Sequence, residues 1–285
     1  MTPTVFQDVV RTPVPGPFVA PDPIAERVRA TWTSGDFGRI AKGYERGAGE
    51  FIARLSLVRG EPVLDVACGT GNLTLPAARL GASVTAIDIA PNLLAQAQVR
   101  AVRERLSVSF DLGDAERLPY APATFQTVVT MFGAMFAARP DRAASELLRV
   151  TRPGGRIVMA NWTPTGFIGD MLRTTVTYAA APAGIPSPLL WGTEDAVRAR
   201  LGGGVSSLTF TRRMITFEYP FDPAQVVSEF RLWYGPTLRA FASLDEVNRE
   251  GLRRDLEQLW TENNRAKDGT TRVQSEYLEV VAVVA

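Results

Sequence analysis

Two glycines and two aspartates carry the clearest chemistry in this chain of 285 residues. The apolar run PVLDVA leads into Gly69-Thr70-Gly71, and helical material follows. Glycine at these positions permits backbone conformations that a Cβ opposes. It also lets a ligand approach the main chain at the carboxyl edge of a parallel strand. Asp88 closes the next apolar run, SVTAID, 17 residues after Gly71. A carboxylate there accepts from both hydroxyls of a ribose. Nicotinamide and flavin oxidoreductases use the same physics, so these residues alone leave such an enzyme open. Two features weigh against it. Thr74 stands in place of a third glycine, and the third apolar run ends in Asp111-Leu112-Gly113-Asp114-Ala115-Glu116, with Asp114 26 residues beyond Asp88.

Such residues need a sheet to hold them. From Pro62 the chain alternates apolar runs (PVLDVA, SVTAID, SVSFD, TFQTVVTMF, GRIVMANW) with amphipathic segments at Thr74 to Arg79, Asn92 to Arg105 and Arg142 to Val150. That alternation predicts parallel strands joined by crossover helices. In the segment Asp141 to Val150, Ala144, Leu147 and Leu148 recur at helical spacing, and Pro153-Gly154-Gly155 is expected to stop the helix. SLTFTRRMITFEY and the β-branched YLEVVAVV read as the last two strands of the same sheet. The expected fold is α/β, a doubly wound, mostly parallel seven-stranded sheet with a helical N-terminal lid and helical insertions near the C-terminus. Its expected divisions are an extended arm over residues 1–23, a helical lid over 24–60, and a core over 61–285 with insertions at about 163–204 and 223–265. Six prolines fall within the arm, and Ser34 to Gly38 breaks the helical material of the lid.

Composition removes several alternatives. There is no histidine, which excludes a Ser-His-Asp triad, an HExxH zinc site and a histidine base in this chain. One cysteine, Cys68, permits no intramolecular disulfide and no cysteine-cluster metal site. No metal cofactor is expected. With 31 Lys plus Arg against 30 Asp plus Glu, no global field attracts nucleic acid or an anionic membrane. No apolar run approaches the ~18 residues of a membrane span, and the N-terminus lacks the pattern of a secretory signal. A cytoplasmic protein with a small-molecule partner is expected, with no nucleic acid and no membrane.

Taken in order, VLDVACGTG, AIDIA, GDAE, the following Leu118-Pro119-Tyr120, and ELLRVTRPGGRI resemble the class I S-adenosylmethionine-dependent methyltransferases. The resemblance covers roughly residues 36–166 and is strongest to the bacterial small-molecule branch that includes the ubiquinone and menaquinone methyltransferases. It implies S-adenosylmethionine as cofactor and S-adenosylhomocysteine as product. It implies that Asp65, Ala67, Gly69 and Gly71, with Thr70 and Asn72 of the same loop, line the methionyl end. Asp88 would hold the ribose, Ile89 would flank the adenine, and Asp114 beside Ala115 would accept from the adenine amino group. Phe132 would face the sulfonium. Ala67 departs from a frequent glycine, and Gln126 from a frequent aspartate.

By the same resemblance the acceptor sits above strands four and five, under the N-terminal helices and the later insertions. Those regions hold Trp32, Phe37, Tyr44, Met135, Phe136, Trp162, Phe167, Trp191 and Tyr234, which suits a small apolar or aromatic molecule. Strand four runs into Thr130-Met131-Phe132-Gly133 rather than an Asn-Pro-Pro-Tyr motif, which disfavours adenine or glutamine methylation. Strand five ends in Asn161-Trp162 without paired carboxylates, which disfavours a magnesium catechol site. In-line transfer from a sulfonium needs alignment and exclusion of water more than a base, and no catalytic side chain is singled out. The alternatives are a methyltransferase acting on RNA or protein, or a cofactor-binding protein that uses the site for another reaction.

Overall fold

The computed structural model describes residues 22–181 and 183–285; nearly all of the arm expected over 1–23 lies outside them. The described chain opens with α1 (Pro23–Thr33), α2 (Phe37–Ala41) and, after a 3₁₀ turn at Lys42–Tyr44, α3 (Glu45–Arg54). Pro23 belongs to the helix rather than the arm. Asp22 caps it by accepting from the Ile24 amide at 3.0 Å, and proline at the first helical position has its φ already set.

The core follows as β1 (Pro62–Val66), α4 (Thr74–Arg79), β2 (Ser83–Asp88), α5 (Pro91–Arg103), β3 (Val108–Leu112), β4 (Phe125–Met131), α6 (Pro140–Val150) and β5 (Thr151–Trp162). Then come α7 (Phe167–Tyr178), α8 (Glu194–Leu201), β6 (Val205–Tyr219), α9 (Pro223–Trp233), α10 (Gly235–Ser243), α11 (Glu246–Asn263) and β7 (Thr271–Val284).

These strands form one seven-stranded sheet in the order β3-β2-β1-β4-β5-β7-β6. The first five are parallel, while β7 enters antiparallel between β5 and β6. β1 and β4 are buried along almost their whole length, as strands covered on both faces must be. β6, at the edge, alternates exposed and half-buried residues over its first ten positions and becomes buried only toward Tyr219.

Two strands start earlier than expected. α6 ends at Val150, as expected, but β5 already begins at Thr151, which pairs with Phe125, so pairing with β4 rather than Pro153-Gly154-Gly155 ends the helix. The ladder resumes at Thr127 and Arg156, so the Pro-Gly-Gly segment bulges out of the strand, with Gly154 at φ +70°. β7 begins at Thr271, six residues ahead of Tyr277. Its early half alternates buried Thr271, Val273 and Ser275 with more open Arg272, Gln274 and Glu276. This is the period-two pattern of a half-buried strand, hidden by its polar content.

Candidate functional site

The loop after β1 is shaped by backbone sterics. Ala67, Gly69 and Gly71 all take positive φ, at +57°, +54° and +87°. At Ala67 the left-handed conformation costs ~1–2 kcal/mol. Gly133 lies against it, since a Cβ on Gly133 would fall 2.6 Å from Ala67 Cβ and 2.8 Å from its carbonyl oxygen. A Cβ on Gly69 would meet nothing nearer than the Phe37 ring at 4.0 Å, so it would project into the open cradle. Gly71 differs from its expected part. It does not line the cavity; a Cβ there would touch Ala97 of α5 and Leu75 of α4 at 3.4 Å. It serves the turn, not the ligand face.

Three carboxyl groups meet at this edge. Asp65, 1% exposed, accepts from the Thr74 hydroxyl at 2.5 Å. Burial, reinforced by the nearby Asp88 charge, pushes it up to about 7. Asp88 ends β2 and accepts from the Gly69 amide at 2.7 Å and the Ala90 amide at 2.8 Å. Burial raises it to about 6 against the pull of those donors. Asp114 accepts from the Glu116 amide at 2.9 Å, and burial raises it also. Glu116 in turn holds Arg139, which reaches Asp22 at the start of α1 at 2.5 Å.

Around them lies an open cavity. It brings together Asp65, Ala67, Gly69, Thr70, Asn72, Asp88, Ile89, Asp114, Ala115 and Phe132, which is every expected cofactor-side residue except Gly71. No lysine or arginine among the described residues lines it. Sequence reasoning missed Arg100, which steadies the loop from behind by donating to the Thr70 carbonyl and to Asn72 Oδ1, both at 2.8 Å. An arginine in the last turns of an amphipathic helix reads as surface. Asn72 also donates to the Ala41 carbonyl at 3.0 Å, tying the loop to α2.

A second, smaller cavity adjoins the first and shares Trp32, Phe37, Tyr44, Phe132 and Phe136 with it. Trp162, Tyr234, Ile40, Ile168, Met171, Phe217 and Phe230 complete its wall. Phe132, at φ +55°, stacks on Trp162 with centroids 3.4 Å apart. Three expected pocket residues are core instead. Met135 is buried in a 3₁₀ turn at Ala134–Phe136, where its neighbour Phe136 takes the cavity side. Phe167 packs edge-on against Trp260 at 4.6 Å. Trp191 lies buried under the Arg200 guanidinium at 4.6 Å.

The two covers of this cavity touch through backbone. Asp36 N donates to the Trp233 carbonyl at 3.1 Å. A Cβ on Gly35 would fall 2.2 Å from that oxygen, and one on Gly235 would fall 2.1 Å from the Thr31 carbonyl oxygen. Only hydrogen at both positions permits the approach. Arg39 adds an ion pair to Glu229 at 3.3 Å and lies over the Trp233 ring. The segment Trp32 to Tyr44 is therefore two things. Its first half is a cover, whereas Ile40, Ala41 and Tyr44 belong to the main apolar core.

No group of three or more Cys, Asp or Glu side chains suited to a metal ion occurs among the described residues, and no helix among them is long and apolar enough to cross a membrane.

Residues 63–155 match the family described as "Methyltransferase domain". An uncharacterized protein of Mycobacterium tuberculosis is 39% identical over 226 residues, covering 78% of this chain and 82% of that one. A demethylmenaquinone methyltransferase of Renibacterium salmoninarum is 39% identical over 116 residues, covering 41% of this chain and 47% of that one. Among solved structures, phosphoethanolamine N-methyltransferase 2 of Haemonchus contortus, in complex with S-adenosyl-L-methionine, aligns with a TM-score of 0.53 at 17% identity, covering 84% of this chain and 52% of that one.

Proposed function

This chain belongs to the class I S-adenosylmethionine-dependent methyltransferases and resembles the quinone methyltransferases among them, and we propose that it transfers a methyl group to a small, apolar or aromatic molecule held in the aromatic cavity. The observation that carries the cofactor assignment is the charge of the first cavity. Three buried or half-buried carboxyl groups line it, and no basic side chain among the described residues does. Burial opposes ionisation of all three acids, and the Asp88 charge further opposes that of Asp65, so the site gains from a ligand that brings positive charge. S-adenosylmethionine brings a sulfonium and an ammonium. A dinucleotide would bring a diphosphate to the same acids and meet no cation there.

The residues present fit that group. In this reading Asp65, Ala67, Gly69, Thr70 and Asn72 hold the methionyl end, Asp88 the ribose, Ile89 the adenine face, and Asp114 with Ala115 the adenine edge. Phe132 faces the sulfonium side and separates the two cavities. When bound, the cofactor supplies an electrophilic methyl on a positively charged sulfur.

The chain's own part is alignment and exclusion of water. Trp32, Phe37, Phe136 and Tyr234 close the acceptor site, and among the described residues its walls hold no carboxylate, lysine or arginine to move a proton. Positioning alone supplies as much as ~7–11 kcal/mol of barrier reduction when two reactants are held in register. The test is calorimetric titration of the full chain. S-adenosylmethionine is expected to bind at least tenfold more tightly than NAD, and equal or reversed affinities would remove the assignment.

A further inference from the structure

The aromatic cavity contains a feature that apolar packing does not require. Two of its lining residues, Tyr44 and Tyr234, are 6% and 4% exposed. A buried phenol ordinarily finds a hydrogen-bond partner. Tyr219, next to this cavity, does so by donating to the Ile40 carbonyl at 2.9 Å. Neither Tyr44 nor Tyr234 has such a partner among the described residues, and burial drives both hydroxyls far above the usual phenol range. Tyr234 further opposes ionisation of Tyr44. Both therefore remain protonated donors, and neither can serve as a general base near neutral pH. The only other lining residues among those described that carry a side-chain N–H or O–H are Trp32 and Trp162, whose indole N–H can only donate.

From this donor-rich, base-free lining we infer that the acceptor is an aromatic or enolic oxygen acid, bound as its oxyanion with Tyr44 and Tyr234 donating to it. This rests on the methyltransferase reading above. With no base in the wall, an acceptor oxygen must shed its proton to solvent before it is enclosed. Its lone pair then forms the new carbon–oxygen bond while the carbon–sulfur pair returns to sulfur. Anion and cation become two neutral products, and no proton is left in the cavity. A dry aromatic wall favours that outcome, because it solvates separated charges poorly and neutral groups well. Aromatic faces also attract ammonium groups. An ammonium could donate to the phenol oxygens, but both hydroxyl protons would then lack an acceptor, and no carboxylate among the described residues lines this wall to balance its charge.

The test reads the bound ligand's spectrum rather than turnover. 4-Nitrophenol absorbs differently as phenol and phenolate, so its protonation state is visible when bound to the full chain in the presence of S-adenosylmethionine. Expected is binding as the phenolate, with an ionisation midpoint at least one pH unit below that of the free dye. 4-Nitroanisole, which has no ionisable oxygen, should bind at least tenfold more weakly. Tyr44→Phe and Tyr234→Phe should each raise the midpoint and weaken phenolate binding severalfold. Because neither hydroxyl bonds to any of the described residues, both variants should keep the wild-type Tm.

Equal affinity for 4-nitroanisole, no binding of 4-nitrophenol, preference for the cationic 4-nitrobenzylamine, or an unchanged midpoint in both single variants would overturn the inference. S-adenosylmethionine affinity, measured in the same samples, separates the two readings. If it is intact while phenolate preference is absent, only the acceptor class falls. If it is absent, the methyltransferase reading itself falls.

Discussion

The two cavities share a wall and are built in opposite ways. The carboxylate-lined one takes most of its residues from a single stretch, 65–137, as the ends of the four consecutive strands β1 to β4 and the loops that leave them. The aromatic one is assembled from α1, α2, the ends of β4, β5 and β6, α7 and α9. Short-range geometry therefore fixes the first, through positive φ at Ala67 and Gly69 and amides held by Asp88. Long-range packing fixes the second, through the contact of Gly35 with Trp233 and of Gly235 with Thr31. The contrast predicts that damage to one side should largely spare the other.

The largest separation should come from Gly35→Val. With a Cβ due to fall 2.2 Å from the Trp233 carbonyl oxygen, the first cover must part from α9. Acceptor turnover should drop more than about 100-fold through loss of alignment, while S-adenosylmethionine affinity falls by less than about tenfold, since this cover gives the cofactor side only its outer wall at Val28, Trp32 and Phe37. Hydrogen exchange should quicken over residues 23–38 and stay slow over 45–54; a uniform change along the chain would contradict the two-part view of this segment. Overpacking should cost about 1–3 kcal/mol, read from Tm.

Asp88→Ala is the converse. It strips two loop amides of their acceptor and, in the proposed assignment, frees the ribose. Cofactor affinity should weaken by about 1.5–3 kcal/mol, measured by calorimetry, while the 4-nitrophenolate preference of the aromatic cavity persists. Unchanged affinity in the folded variant would remove Asp88 from the site.

A smaller effect follows from the raised acids. Asp65 and Asp88 move from 3.8 to about 7 and about 6 on folding. Between pH 4 and 7 the folded chain thus holds protons that the unfolded chain releases. Stability without ligand should fall as pH rises through that window, by at most about 1.4 kcal/mol per pH unit for each proton, and then level off above it. Denaturant unfolding across the range checks this. Asp65→Asn should flatten the slope, and saturating S-adenosylmethionine should offset the loss at the upper end.

The smallest expected effect is that of chelation. With no histidine and no paired carboxylates after β5, turnover in EDTA should stay within about twofold of the untreated rate. Restoration of lost activity by magnesium would reveal an oxygen-ligand site.

The same contrast explains what was legible in the sequence. Glycines before a helix and acids at strand ends have few other reasons to sit at those spacings, so the carboxylate side could be read from residue types. Only Gly71 faced elsewhere, because one positive-φ glycine resembles another until its neighbours are seen. The aromatic side was not legible in this way. Phe167 and Trp191 are as large and apolar as Phe136 and Trp162, and only tertiary packing decides which ring faces the cavity. Phe217 was missed for a related reason. It lies on the edge strand, yet the end of β6 passes beneath the 3₁₀ turn at Lys42–Tyr44 so closely that a Cβ on Gly43 would lie 2.4 Å from the Tyr219 ring. Among the strands, the polar first half of β7 was hidden for want of an apolar run.

The pairing of Gly35 with Gly235 bears on how such a chain can diversify. Residues two hundred positions apart must remain small together, because a side chain on either one would wedge the two covers apart. A graft of the α9 to α11 insertion from a relative would inherit a mismatched seam unless the first two helices travelled with it. New acceptor ranges are therefore most accessible when both ends of the chain are exchanged as a set, leaving the strand-end chemistry between them untouched.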